Sequence, residues 1–403
     1  MATLRPFRAL RPLPEMAASV AAVPYDVVST AEARDLAADN PLSFLRVSRP
    51  ELEMPPETDP HADAVYEAAQ ANFAKLRRAA PLIEEDAPSI YVYRLRMGDH
   101  EQTGVAACVL VDEYAADVIK KHERTRKDKE DDRTRHIVAL RAQTGPVLLT
   151  YPASDEVGLS VARVVSAPPL FDFTAVDGIG HTLWRVSAAD GDAIVEAFTR
   201  IPNLYIADGH HRAASAMRAR EELSAVGPNE ADSFLAVSFP DDQMQVLPYH
   251  RVVKDLAGQA PAAFVEALGR SVEVAPGTDT PSGKGEVSMY LDGRWFALRL
   301  APAPAGTPAA DQLDVARLHD QVLGPLLGIG DVRTDKRIDF VGGIRGPRAL
   351  TDLVDRGVAA VAFAMHPVRL ADLMVIADAG GIMPPKSTWF EPKLRDGLLS
   401  HLI

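Results

Sequence analysis

The stretch 204-LYIADGHHRAASAM-217 gathers a carboxylate, two imidazoles and a guanidinium within five residues. Asp208, Gly209, His210, His211 and Arg212 follow a short apolar run and precede an alanine-rich one. That order reads as strand, glycine turn, helix. A helix start carries unsatisfied backbone N–H groups and partial positive charge, so it suits a phosphate. Gly209 permits the sharp turn, and Arg212 adds a planar fork matched to phosphate oxygens. Successive helical side chains point about 100° apart, so His210 and His211 are expected to do different jobs. Asp208 keeps three open roles: helix cap, metal ligand, or acid/base. Two blander accounts compete. In one, Asp208 caps the helix and the histidines decorate the surface. In the other the turn binds zinc, although adjacent histidines seldom chelate one metal and no third ligand stands at short spacing.

A second cluster lies upstream. Residues 120–135, KKHERTRKDKEDDRTR, carry eight basic and five acidic side chains. KHERT is not a metalloprotease HExxH, because Arg126 stands where the second histidine is needed. Most of the segment reads as a solvated helix laced with i,i+4 pairs. His122 and Glu123 instead fall at the end of the strand-like run 117-DVIK-120. A carboxylate there, opposite a phosphate-binding turn, is placed to act as a general base, and Lys120 or Lys121 can add a phosphate contact. A third cluster is 380-GGIMPPKS-387 with Thr388, a near-miss of the phosphate-binding P-loop. Pro385 replaces its second glycine and offers no N–H, so a Walker fold is rejected. What remains is a proline-held loop presenting Lys386, Ser387, Thr388 and, further on, Lys393. It reads either as an anion-binding loop or as a structural clasp.

These clusters need a scaffold, and the chain is long enough to build one. Its 403 residues suit two or three structural units, with 47% hydrophobic and 25% charged residues. No run of about 18 apolar residues is present, and the arginine-bearing N-terminus lacks the apolar region of a secretory signal. Cys108 is the single cysteine. It excludes intrachain disulfides and cysteine-rich metal sites, and it sits in an apolar run as a buried hydrophobe. A cytoplasmic location is expected. The formal net charge of -13 argues against broad nucleic-acid binding.

The expected elements alternate. A proline-rich acidic connection, 50–61, leads to a helix over 62–79. Strands at 90–97 and 104–114 flank the turn GDHEQT. A helix through the charged segment ends at Gly145, and PVLLTYP is a strand. A helix over 190–200 precedes LYIA. Beyond 255, a hairpin over 286–300 turns at Asp292-Gly293, and 301–310 is a Pro/Ala linker. A helix near 311–327, a strand at 358–365 and a helix near 368–375 complete the chain. This is a mixed α/β or α+β pattern, with domain edges expected near 110 and 255.

Several segments together resemble the domain-of-unknown-function 1015 family nearly end to end. They are 24-PYDVVS-29, 40-NPLSFLRVSRPE-51, 119-IKKHERT-125, 145-GPVLLTY-151, 206-IADGHHRAASA-216 and 384-PPKSTWFEPKL-394. The middle block is also similar to free serine kinases of the ParB/sulfiredoxin-like superfamily, which make O-phosphoserine from L-serine. That resemblance implies a ParB/sulfiredoxin-like nucleotide-binding core over 111–255, between an N-terminal α+β segment, 1–110, and a C-terminal α/β segment, 256–403. It implies ATP or ADP with Mg²⁺, and L-serine or phosphoserine as the small-molecule partner; a homodimer is carried as a further partner expectation. It implies Glu123 as general base, and Asp208 assisting or holding Mg²⁺. His122, Gly209, His210, His211 and Arg212 would contact nucleotide phosphate, with Lys386, Ser387 and Thr388 closing over it. The chain departs from the kinases in its length and in its long segment between Tyr151 and Asn203. A non-catalytic nucleotide switch of ParB-like type, and an adaptor in which the motifs only fold, stand as alternatives.

Overall fold

A computed structural model describes residues 1–80, 82–224 and 229–403. The chain divides into two compact units. One comprises 1–244 with 392–403, and the other comprises 245–391. Both are mixtures of sheet and helix, so the α+β expectation holds.

The first unit is built on a nine-stranded sheet. From one edge its order is Ile119–Lys120, Leu204–Asp208, Val147–Tyr151, Ser233–Pro240, His100–Leu110, Tyr91–Met97, Gly180–Arg185 and Phe171–Thr174, with Leu4–Arg5 also paired to His100–Leu110. The central strand Ser233–Pro240 is buried at every residue. That fits a strand covered on both faces, which reads as a continuous apolar run rather than an alternating one. Val92, Val105, Ala107, Ile119, Leu149, Phe198, Ile206 and Ala236 join in one core cluster. A second cluster holds the N-terminal helices, including Phe44, Phe73 and Leu76, against Leu140 and Ala142. Cys108 is fully buried, and burial pushes its thiol well above the ordinary range.

The second unit carries a six-stranded antiparallel sheet and the short ribbon of Gln245–Leu247 with Trp389–Glu391. Its hairpin joins Glu286–Leu291 to Arg294–Arg299 through Asp292 and Gly293, at φ 48° and 75°. Two left-handed residues in succession are what a type I′ turn requires.

Three local expectations are corrected. The run 104–114 is strand only to Leu110, and Val111–Ala115 turns into a helix. The preceding turn is tight: Met97 already pairs with His100, so residues read as a loop lengthen the strand instead. The charged helix spans Lys127–Leu140 and stops at Arg141, at φ 50°, before a strand at Ala142–Gln143. The division of the chain falls after 244 and after 391 rather than near 110 and 255. The reason is hydrogen bonding: His100–Leu110 pairs with both Tyr91–Met97 and Ser233–Pro240, so one sheet crosses the first expected edge. No helix among the described residues is long and apolar enough to cross a membrane.

Gly104 marks a crowded point of this sheet. A Cβ there would stand 2.7 Å from the Ser238 carbonyl oxygen and 2.8 Å from the Phe239 ring. Gly104→Ala is therefore expected to overpack the sheet centre and cost about 1–3 kcal/mol. Urea unfolding should show a lower midpoint at unchanged slope.

Candidate functional site

Two strands place the site. Ile119–Lys120 runs parallel to Leu204–Asp208, with Leu204 opposite Ile119 and Tyr205 opposite Lys120. Parallel pairing sends both chains out at the same end, the end where α/β sheets commonly hold ligands. His122 and Glu123 leave one strand, and Gly209 and His210 leave the other. Val147–Tyr151 runs antiparallel beside Leu204–Asp208, so Gly145 and Pro146 enter at that end too.

Gly209 has φ 99°, a conformation that glycine adopts without strain. It is also crowded, since a Cβ would lie 3.0 Å from the Arg212 Nε. The helix His210–Ser224 begins immediately, and the Ala213 N–H donates to the Gly209 carbonyl at 3.0 Å.

The two adjacent imidazoles diverge. His210 is buried, and its Nε2 accepts from the His122 backbone N–H at 3.4 Å. In the neutral ring this puts the proton on Nδ1, which faces Glu123 Oε2 at 4.0 Å. The His122 and His210 rings meet edge to face, with centroids 4.4 Å apart. His211 turns the other way: its Nε2 accepts from the Arg126 N–H at 3.0 Å, tying the helix to the start of Lys127–Leu140. Burial, before any charge effect, lowers all three histidines, His122 to about 4. His122 and His210 are thus neutral imidazoles at neutral pH and bring no cationic charge to the site.

The charge sits elsewhere. Arg212 is buried; one guanidinium nitrogen donates to the Pro146 carbonyl, and the other donates to Asp208 Oδ2 at 3.2 Å. Lys393 donates to the same Oδ2 at 3.4 Å. Burial alone would raise Asp208, but Lys393 and Arg212 outweigh it and hold the carboxyl well below the usual range. Glu123 is exposed beside the helix start. Lys120 pairs with Asp117 at 3.1 Å, and Lys121 donates to the Tyr114 carbonyl at 2.7 Å.

The structure therefore brings His122, Glu123, Asp208, Gly209, His210, His211 and Arg212 to one sheet edge. Lys386, Ser387 and Thr388 lie in the second compact unit. There Lys386 is exposed at φ 58°, Ser387 Oγ donates to the Pro384 carbonyl at 2.6 Å, and the Lys386 carbonyl accepts from Arg251 at 3.0 Å. Lys393, read in the sequence as part of that loop, belongs instead to the first unit and to Asp208. No local pattern in the sequence joins it to Asp208, 185 residues away.

The residues do not assemble a protein-held Mg²⁺ site. One Asp208 oxygen already serves two cations, which would repel a third. Among the described residues no group of three or more His, Cys, Asp or Glu side chains is placed to hold a metal ion.

A family model described as a protein of unknown function, DUF1015, matches residues 4–316. The sequence matches no curated protein. Solved structures similar to this chain include a free serine kinase in complex with AMP, 14% identical with a TM-score of 0.37, covering 73% of this chain and 91% of that one. A conserved hypothetical protein from Pyrococcus furiosus is 16% identical with a TM-score of 0.35, covering 74% and 95%. SbnI with C-terminal truncation from Staphylococcus aureus is 12% identical with a TM-score of 0.36, covering 74% and 87%. At these values the likeness carries no argument about what this chain does.

Asp208 ionises more readily folded than unfolded. Its contribution to stability is full above the ordinary value of 3.8 and is lost as pH falls through the lower folded value. Lys393→Met removes the largest of the opposing influences. The variant should lose on the order of 1–3 kcal/mol at neutral pH. Unfolding curves should show the gap to the unmodified protein narrowing below pH 3.8.

Proposed function

The chain belongs to the DUF1015 family, and we propose that it is a small-molecule kinase that transfers phosphate between a nucleotide and the hydroxyl of free L-serine. The observation that carries this reading is Glu123, exposed at a strand end, with its Oε2 4.0 Å from His210 at the first turn of a helix. A carboxylate base beside a helix N-terminus is the pairing that phosphoryl transfer to an alcohol requires.

In the forward direction Glu123 takes the serine hydroxyl proton. The serine oxygen forms a bond to the terminal phosphorus of ATP or ADP, and the bond from that phosphorus to the bridging oxygen breaks. The released nucleotide carries away the charge. The backbone N–H groups of the first helical turn and the Lys393 ammonium face that charge as it develops. Asp208 holds Lys393 in place. The neutral imidazole of His210 positions Glu123, with its Nδ1 proton towards the carboxylate, and His122 braces His210 from behind. Arg212 locks the turn through Pro146 and Asp208. The choice of serine as acceptor rests on the resemblance of the middle motifs to free serine kinases. The Lys386 loop, which belongs to the second unit, takes no part in this transfer.

The test is a donor panel. Protein, L-serine and Mg²⁺ are incubated with ATP, ADP, CTP or pyrophosphate, and phosphoserine is read by mass spectrometry. One donor is expected to give product. Glu123→Gln is expected to reduce turnover by at least about 100-fold while nucleotide affinity is unchanged. Nucleotide binding with no product from any donor would favour the non-catalytic switch, and full turnover by Glu123→Gln would remove the assigned base.

A further inference from the structure

Beside Gly145 and Arg212 the first unit contains a cavity of about 40 Å³. Its wall includes Tyr25, Arg133, His136, Thr144, Arg212 and Asp396. A single water needs roughly 10–15 Å³ on the same measure, so the space is worth about three waters. It suits a small polar molecule and is far too small for a nucleotide.

The charges of the wall do not balance one another. Arg133 is paired with Asp132 at 2.8 Å, and Arg212 with Asp208 at 3.2 Å. Asp396 is only 3% exposed, yet among the described residues no hydrogen bond or ion pair reaches its carboxyl. Its backbone, by contrast, is fixed, donating to Ala22 at 2.8 Å and accepting from Ala22 at 3.1 Å. Gly145 stands against the carboxyl, where a Cβ would lie 2.9 Å from its Oδ1. A buried acid without a partner is costly, and a native fold that keeps one in a cavity leaves it for something else to meet. Burial pushes Asp396 up to about 7; Asp26 adds to this, while Arg212, Arg133 and Arg395 oppose it. An arriving cation would ionise it.

We infer that this cavity is an amino-acid subsite, taking a zwitterionic α-amino acid of about three carbons with its ammonium on Asp396 and its carboxylate towards Arg133 and Arg212. The inference rests on the kinase reading, whose acceptor it would hold. A zwitterion meets both signs at once. A lone phosphate would leave Asp396 opposed, and an amine without a carboxylate would leave the Arg212 Nε, buried without a hydrogen-bond partner, unanswered.

Calorimetry on the full chain tests this without turnover, using L-serine with and without AMP. L-serine is expected to bind. 3-Hydroxypropionate, which lacks the ammonium, and ethanolamine, which lacks the carboxylate, should each bind at least about tenfold more weakly. Asp396→Asn keeps the shape and removes the charge. It should weaken L-serine by a similar factor and erase the preference over 3-hydroxypropionate, with AMP affinity unchanged. Ala216→Val fills the cavity from its helical wall and alters no charge, so it serves as a second variant should Asp396→Asn fail to fold; it should also lose L-serine. The inference is overturned if L-serine does not bind, if 3-hydroxypropionate binds equally well, or if neither folded variant weakens binding. Phosphoserine formed with an unchanged KM for serine in Asp396→Asn would sink the subsite and leave the kinase standing. Asp396-dependent serine binding without phosphoserine from any donor would do the reverse.

Discussion

A buried guanidinium needs acceptors, and the edge of the large sheet is arranged around two of them at Arg212. One of its nitrogens is held by the Pro146 carbonyl and another by Asp208. Those two contacts join the turn after Leu204–Asp208 to the entry of Val147–Tyr151. With Arg212 so anchored, the first turn of the helix cannot rotate about its axis. His210 is then committed to His122 and Glu123, and His211 to Arg126. The glycines on either side follow from the same demand. Gly209 lies against the guanidinium, and Gly145 lies against the Arg212 stem and Asp396.

Burial also decides the electrostatic character of the site. A histidine-rich turn suggests positive charge, but imidazoles taken out of water lose their protons first. His122 and His210 therefore act by shape and by single directed hydrogen bonds. Positive potential comes from the helix start and from Lys393, whose charge is balanced through Asp208. This division lets the carboxylate of Glu123 remain near the helix without being neutralised by a full cation on His210.

What the sequence discloses is local. Leu204–Asp208, Gly209 and the helix after it are legible because apolar run, glycine and alanine-rich run follow directly in the chain. The Asp292-Gly293 hairpin is legible for the same reason. Element ends are hidden where no glycine or proline marks them. Arg141 stops a helix in a left-handed conformation that its residue type does not announce, and Val111–Ala115 leaves the strand with no breaker before it. The expected domain edges failed because strand pairing between distant segments has no signature in either one. The site divides along the same line. Glu123 and the Asp208–Arg212 turn are motifs, whereas Lys393 meets Asp208 across 185 residues of chain and Asp396 meets the cavity from the same remote segment. The neutrality of the histidines was equally hidden, since it depends on burial by residues far away in the chain.

The path of the chain has a consequence for when this site comes into being. The first compact unit is interrupted after residue 244 and resumes only at 392, with the whole of the second unit synthesised in between. The resumed segment brings Lys393 and Asp396, and then Ser400–Leu402, which pairs with both Ala9–Arg11 and Ala142–Gln143 in a small sheet. On the ribosome, domains fold as units while the chain lengthens. Here the nine-stranded sheet can form early, but Asp208 waits for its lysine, and Ala9–Arg11 waits for its neighbour, until the segment 392–403 has been added. This sheet edge is therefore completed only after the second unit has been made, and a chain that stops before residue 393 carries the motif without the charge that completes it.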